Sequence, residues 1–207
     1  MSREYGLGMA TRSKTRDRDV RRALLSKVIA EHVNDPSTLV IEELGLEHGS
    51  CRVDITVVNG AIHGYEIKSD ADTLERLPFQ VETYSRSLDK ATLVVAERHL
   101  NKAEPMIPEW WGIKTVTVGT RGAVNISTVR PVAYNPSISP FHVAHLLWRP
   151  EVEEILLSKG LPPKALRVNK AGLYGLLVEN TKVTELRSLI REKLKLREGW
   201  RSQTPLA

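Results

Sequence analysis

Two runs rich in β-branched and aromatic residues, 52–58 and 61–68, stand either side of Asn59-Gly60, and this pair constrains the fold more than any other stretch of the chain. Side chains alternate along a strand, so Val53, Ile55 and Val57 are expected on one face and Asp54 on the other. By the same rule Tyr65 and Ile67 oppose Glu66 and Lys68. Whether the two charged faces coincide depends on the turn. A strict two-residue turn at Asn59-Gly60 sets Asp54 opposite Tyr65 and sends Glu66 to the far side of the sheet. An odd loop, such as 58–60 with Gly60 left-handed in a G1 bulge, or a bulge elsewhere, brings Asp54 and Glu66 together.

The remaining pattern gives this hairpin its setting. Val20, Leu24, Leu25, Val28 and Ile29 recur at helical spacing over 19–33, and Asn34-Asp35-Pro36 ends the helix. A strand is expected at 38–44. A second helix is expected at 72–88, carrying Leu74, Leu77, Val81, Tyr84 and Leu88 on one stripe, with Pro78 kinking or dividing it. Short strands follow at 91–96 and 114–119, separated by a Pro-rich connection in which Trp110 and Trp111 read as a buried plug. Beyond Pro136 the chain reads as helices punctuated by proline, with Ser139-Pro140 as a helix start and a last helix over 184–197. The expected layout is a basic arm (1–18), an α/β core (19–135) and a helical region (136–207).

Charge is distributed unevenly. Residues 1–22 hold seven Lys and Arg against three Asp and Glu, and residues 181–207 repeat that ratio, so the middle of a chain of net charge +5 is acidic. Such a layout suits a carboxylate site with a polyanion held by the two ends. Cys51 is the only cysteine, which excludes an internal disulfide and a multi-thiolate zinc site. With no apolar run long enough to span a bilayer and no signal-peptide pattern, a cytoplasmic protein without a membrane partner is expected. His142 and His145 have metal-compatible spacing but no acidic partner nearby, and read as structural.

Two carboxylates on one sheet face repel each other unless a cation lies between them, and hard oxygen donors suit Mg²⁺ or Mn²⁺. An adjacent ammonium would orient water, as Glu66 and Lys68, two apart on one strand, allow. With Asp54 on the strand before, Glu66-Ile67-Lys68 on the next and a helix on either side, the chain resembles the PD-(D/E)XK nuclease superfamily. That resemblance implies a restriction-endonuclease-like core: a helix, three antiparallel strands, a helix and further strands. It implies metal held by Asp54, Glu66 and the Ile67 carbonyl, Lys68 as catalytic lysine, and an accessory carboxylate for which Glu43 is the choice, with Glu42 and Glu31 as alternatives. Val53 stands where the superfamily's name has proline. Gln80 and Tyr84, four apart on one helical face, resemble a Gln-x-x-x-Tyr element beside such sites. The implied function is a Mg²⁺-dependent deoxyribonuclease, an endonuclease of repair or phage defence, with Arg52, Arg76, Tyr84, Arg187 and Arg191 contacting DNA and a homodimer cutting two strands. The alternatives are an inactive nuclease-like DNA-binding module and a protein-interaction factor in repair or phage conflict.

Overall fold

A computed structural model describes residues 14–119 and 121–197, so most of the expected basic arm, residues 1–13, lies outside the described residues. One mixed sheet organises the rest. Its strands are β1 (Leu39–Leu46), β2 (Cys51–Val58), β3 (Ile62–Lys68), β4 (Lys90–Ala96), β5 (Gly112–Val118) and β6 (Val124–Arg130), and their order in space is their order in the chain. The outer pairs β1–β2, β2–β3 and β5–β6 are antiparallel, whereas β3–β4 and β4–β5 are parallel. Parallel neighbours need crossovers, and helix α3 (Leu77–Ser87) and the short α4 (Leu100–Ala103) lie in the two connections.

The sheet is covered on both faces. One carries the N-terminal helical segment, made of α1 (Asp17–Ala23), a π-helical turn (Leu24–Val28) and α2 (Ala30–Asn34). Val20, Leu24 and Ile29 from this segment cluster with Val40, Ile55, Val57, Tyr65, Ile67, Val94 and Val116. The other face carries α3 and the C-terminal helices α5 (Pro140–Ala144), α6 (Arg149–Ser158), α7 (Lys170–Glu179) and α8 (Val183–Leu196). Leu77, Val81, Tyr84 and Leu88 join Leu93, Val95, Leu173, Leu186 and Ile190 there in a single larger cluster. Helix α3 starts at Leu77, with Pro78 in its first turn, where proline's missing N–H costs no helical bond. The longer helix with an internal kink gives way to this.

The central hairpin resolves the question posed by Asn59-Gly60. Val58 pairs with Ile62 and Ile55 with Tyr65, so the connection is odd, three residues long, and its register, continued past the last pair, would set Asp54 across from Glu66. Gly60 is not left-handed; instead the Asn59 side-chain oxygen accepts from the Ala61 N–H at 3.2 Å and closes the turn. Strict alternation does fail upstream. Leu39 and Ile41 share the α3-side cluster with Leu44 and Leu46, which is possible because Glu43, at φ 58, shifts the phase of β1 by one residue. Opposite it, Val53 faces the α3 side while Ile55 and Val57 face α1. The change of face in β2 therefore falls on Asp54.

The C-terminal helices are clamped to this sheet by Asp89, which is 1% exposed. Its carboxylate accepts from the Ile62 N–H at 2.7 Å and ion-pairs with Arg187 of α8, and its carbonyl accepts from the Asn135 N–H at 2.8 Å. Substituting Asp89→Ala strands the Arg187 guanidinium and a buried N–H, and is expected to lower unfolding free energy by about 3 kcal/mol in urea titrations; a loss below about 1 kcal/mol would show that the clamp is dispensable.

Candidate functional site

Where β2 and β3 part beyond Ile55 and Tyr65, a cleft of about 550 Å³ opens between α1, the hairpin and α3. The parting has a local cause: Asp54 Oδ2 accepts the Ile67 N–H at 2.7 Å, so a side chain takes over a position in the strand ladder. Asp54, Glu66, Ile67, Lys68 and Gln80 all line this cleft, as do Glu43, Arg52 and Arg76. The structure thus brings together most of the residues singled out in the sequence.

That Arg21 and the Tyr84 hydroxyl answer these carboxylates is the finding that sequence reading missed. Glu66 is 1% exposed; its Oε1 receives Lys68 Nζ at 2.6 Å and its Oε2 the Tyr84 hydroxyl at 2.5 Å. Lys68 Nζ also donates to Gln80 Oε1 at 2.9 Å, which fixes Gln80 as a partner of lysine. On the other side, Arg21 of α1 donates through Nη1 to the Asp54 carbonyl at 2.7 Å and through Nη2 to Asp54 Oδ1 at 3.2 Å. The same guanidinium reaches Glu43 at 3.1 Å, Glu42 at 3.5 Å and, through Nε, Asp17 at 3.1 Å. Asp17 and Arg21 are four apart on a helix, a spacing that marks a pair, but nothing local in the sequence points that pair at a hairpin more than thirty residues away.

The electrostatics follow from burial. Asp54 is pushed up to about 7, first by loss of solvent and then by the nearby Glu66, with the Ile67 N–H and Arg21 pulling it back. Burial and the same Glu66 hold the Tyr84 hydroxyl well above the ordinary phenol range. Cys51, buried and close to Glu66, is pushed up to about 11 and is a poor nucleophile.

The set Asp54, Glu66 and Ile67 does not fit a divalent ion as it stands. All four carboxylate oxygens already have partners, Asp54 being paired with Arg21 and Glu66 with Lys68. Among the described residues no group of three or more His, Cys, Asp or Glu is placed to hold a metal. Tyr84 is fully buried and stacked on Trp111 at 5.5 Å, so it faces Glu66 and not a ligand. Arg187 is engaged with Asp89, and neither it nor Arg191 lines the cleft. His142 lies against Ser139 and Glu47, and His145 packs on His48 and Tyr174, both as structural groups. Among the described residues no helix is long and apolar enough to cross a membrane.

Comparison with known proteins overturns the nuclease reading. Residues 11–205 match the family model described as bacteriophage P4 protein cII. A relative, protein cII of Enterobacteria phage P4, is 23% identical over 146 residues, covering 70% of this chain and 54% of its own length. The chain spans about half the length of the curated relative it matches. No solved structure matches. The PD-(D/E)XK assignment, and with it the Mg²⁺-dependent deoxyribonuclease, endonuclease and hydrolase expectations, is therefore corrected. A carboxylate and a lysine two apart on a strand arise as readily from an internal ion pair, which is how Glu66 and Lys68 are used.

A carboxyl whose folded pKa lies above its unfolded value binds extra protons in the folded state, so its contribution to stability is lost as pH rises. For Asp54 the window runs from about 4, its unfolded value, to about 7. Asp54→Asn keeps an oxygen for the Ile67 N–H without the charge. Thermal melts of both forms are expected to diverge from pH 4 to pH 8, the wild type losing about 1–3 kcal/mol relative to the variant; parallel profiles would mean that Asp54 is ionised throughout.

Proposed function

Starting from a chain that belongs to the bacteriophage P4 protein cII family, we propose that it is a non-hydrolytic protein-interaction factor that takes up a segment of a partner protein in the cleft between α1 and α3. The observation that carries this reading is the internal neutralisation of the cleft floor. Arg21, Lys68 and Tyr84 answer Asp54 and Glu66, so the floor needs no ligand to be stable and offers no open position for a reacting group.

Recognition falls to the rim. Phe79 stands 48% exposed at the lip, beside the exposed Arg52 and Arg76 and the exposed carboxylate of Glu43. An accessible aromatic next to arginine is the composition of an interface hot spot. The mixed signs suit a polypeptide, whose own charges alternate, better than a phosphate backbone, which Asp17 and Glu43 would repel. Within this reading the helix, three antiparallel strands, helix and parallel strand act as a restriction-endonuclease-like scaffold without its chemistry. A Mg²⁺ or Mn²⁺ ion would have to displace Arg21 and Lys68, and it has no part in the proposed function.

DNA is the second reading, and a different region favours it. Lys14, Arg22 and Lys27 surround a separate cavity of about 380 Å³ between the N-terminal helical segment and β5–β6, with Asp19 as the acidic group of its lining. A surface of that kind collects phosphates without reading sequence.

Both readings are tested with the whole chain by fluorescence anisotropy, using a panel of peptides that carry alternating basic and acidic side chains and labelled single- and double-stranded DNA. Peptide binding weakened about tenfold by Phe79→Ala and by Arg76→Glu is expected, with plasmid DNA left intact in Mg²⁺ or Mn²⁺. Salt-sensitive DNA binding that disappears in a Lys14→Glu, Arg22→Glu double variant, with no peptide bound, would replace the first reading by the second. Plasmid cleavage abolished by Asp54→Ala would sink both.

A further inference from the structure

A further cavity, of about 360 Å³, lies between the β1–β2 connection, the α5–α6 junction and the first turns of α7. Among the described residues its lining holds no carboxylate. Carboxylates do lie close by, but each is taken: Glu151 by Arg197, Glu153 by Arg149 and Glu47 by Arg86, at 2.6, 2.7 and 3.0 Å. Two of the cations in the lining, Arg149 and Arg197, are thereby answered. Lys170 is not, for among the described residues its ammonium has no hydrogen bond and no ion pair.

His48 shares the field of that ammonium. Burial, and then the charge of Lys170, hold its imidazole below the ordinary histidine range, so the ring is neutral at pH 7. Unusual backbone brings it there: Glu47, His48 and Gly49 are three successive left-handed residues, at φ 45, 61 and 90. Histidine seldom takes that conformation, and it persists only where neighbours hold it. Here Arg86 holds Glu47, and the His48 ring lies on His145 at a centroid distance of 4.7 Å and near Tyr174 at 6.0 Å. Its nitrogens have no hydrogen-bond partner among the described residues. A neutral imidazole carries one N–H and one lone pair, so an unanswered donor and an unanswered ammonium front the same cavity. Ring side chains make up much of the remaining wall: His145, Tyr174 and Trp148, the last of which is 53% exposed and carries Arg197 on its ring at 4.0 Å.

We propose that this cavity binds a free nucleoside monophosphate, with the phosphate held by Lys170 and the His48 N–H and the base set against the ring-lined wall. Three observations choose that ligand. A cation without a partner beside a neutral donor, with Glu47, Glu151 and Glu153 all neutralised, suits one phosphate group. Aromatic side chains suit a flat base, which they meet by stacking or edge-on. The volume lies at the small end of ligand sites. A nucleic-acid strand would instead need a row of free cations along its backbone, where this lining has one. Gly49 is the single residue that the cavity shares with the cleft, and the inference is independent of what occupies the cleft.

Isothermal titration calorimetry of the whole chain with AMP tests it. Saturable binding at or below about 1 mM is expected, weakened at least about tenfold by Lys170→Glu and by His48→Ala. Both side chains are exposed, so the circular dichroism spectrum should not change. Adenosine and inorganic phosphate, each offering one part of the ligand, are expected to bind wild type at least about tenfold more weakly than AMP. NMR titration of the His48 ring adds a readout that a folding defect does not mimic. A bound phosphate raises its midpoint, because a negative neighbour favours the charged ring, and this AMP-dependent rise should be absent in Lys170→Glu. Lack of binding by AMP up to about 10 mM overturns the proposal. So do AMP binding that both variants leave intact, inorganic phosphate that binds as tightly as AMP, and a single-stranded oligonucleotide that displaces AMP at equal nucleotide concentration.

Discussion

The guanidinium of Arg21 holds the molecule's most crowded set of charges together. Four carboxylates, Asp17, Glu42, Glu43 and Asp54, lie within 3.5 Å of it, and they come from α1, β1 and β2. Without it, Asp54 and its neighbours would repel one another across a cleft that excludes much of the solvent. With it, the first helix is fixed to the hairpin at the point where the strands separate. A planar fork of donors suits this work because it can address several oxygens at once, which an ammonium on a flexible stem does less well. The opposite wall uses the compact cation instead: Lys68, on the same strand as Glu66, closes a short chain of contacts through Gln80 to α3.

This arrangement satisfies the cleft's buried charges from within the chain. The residue types of a hydrolytic site are present and converge, yet each is satisfied by a neighbour from within the chain. The oxygens of Asp54 and Glu66 are taken by partners within the chain, and the buried Cys51 beside them is held protonated. What remains available lies at the lip, where Phe79 and two arginines are exposed. The similarity to the bacteriophage P4 protein cII family runs over residues 11–205, nearly the whole chain.

Much of the fold was legible because its signals are local. Five of the six strands sit within a few residues of where β-branched runs placed them, and Asn34-Asp35-Pro36 and Ser139-Pro140 mark a helix end and start. Strand β6 escaped because its alternation is short, Val124 to Ser127, and only Val124 and Ile126 pack inward. The phase shift at Glu43 escaped because a left-handed glutamate has no sequence signature. Although the sequence leaves open the turn length that decides their common face, the placing of Asp54, Glu66 and Lys68 on one hairpin and of Gln80 and Tyr84 on one helical face was legible. Their partners were not: the contact from Arg21 spans 33 residues, and long-range pairing of side chains is set by packing and not by pattern.

A sheet whose spatial order repeats its chain order has a consequence for how the protein is made. Each strand leaving the ribosome finds its neighbour already in place and adds to a growing rim, so no late insertion between strands is needed. The N-terminal hairpin can form while the rest is still being synthesised, whereas the parallel strands must wait for their crossovers. The helix bearing Arg187 emerges after the sheet and reaches back to a carboxylate laid down about a hundred residues earlier, so the contact that joins it to the sheet forms only once every strand is out.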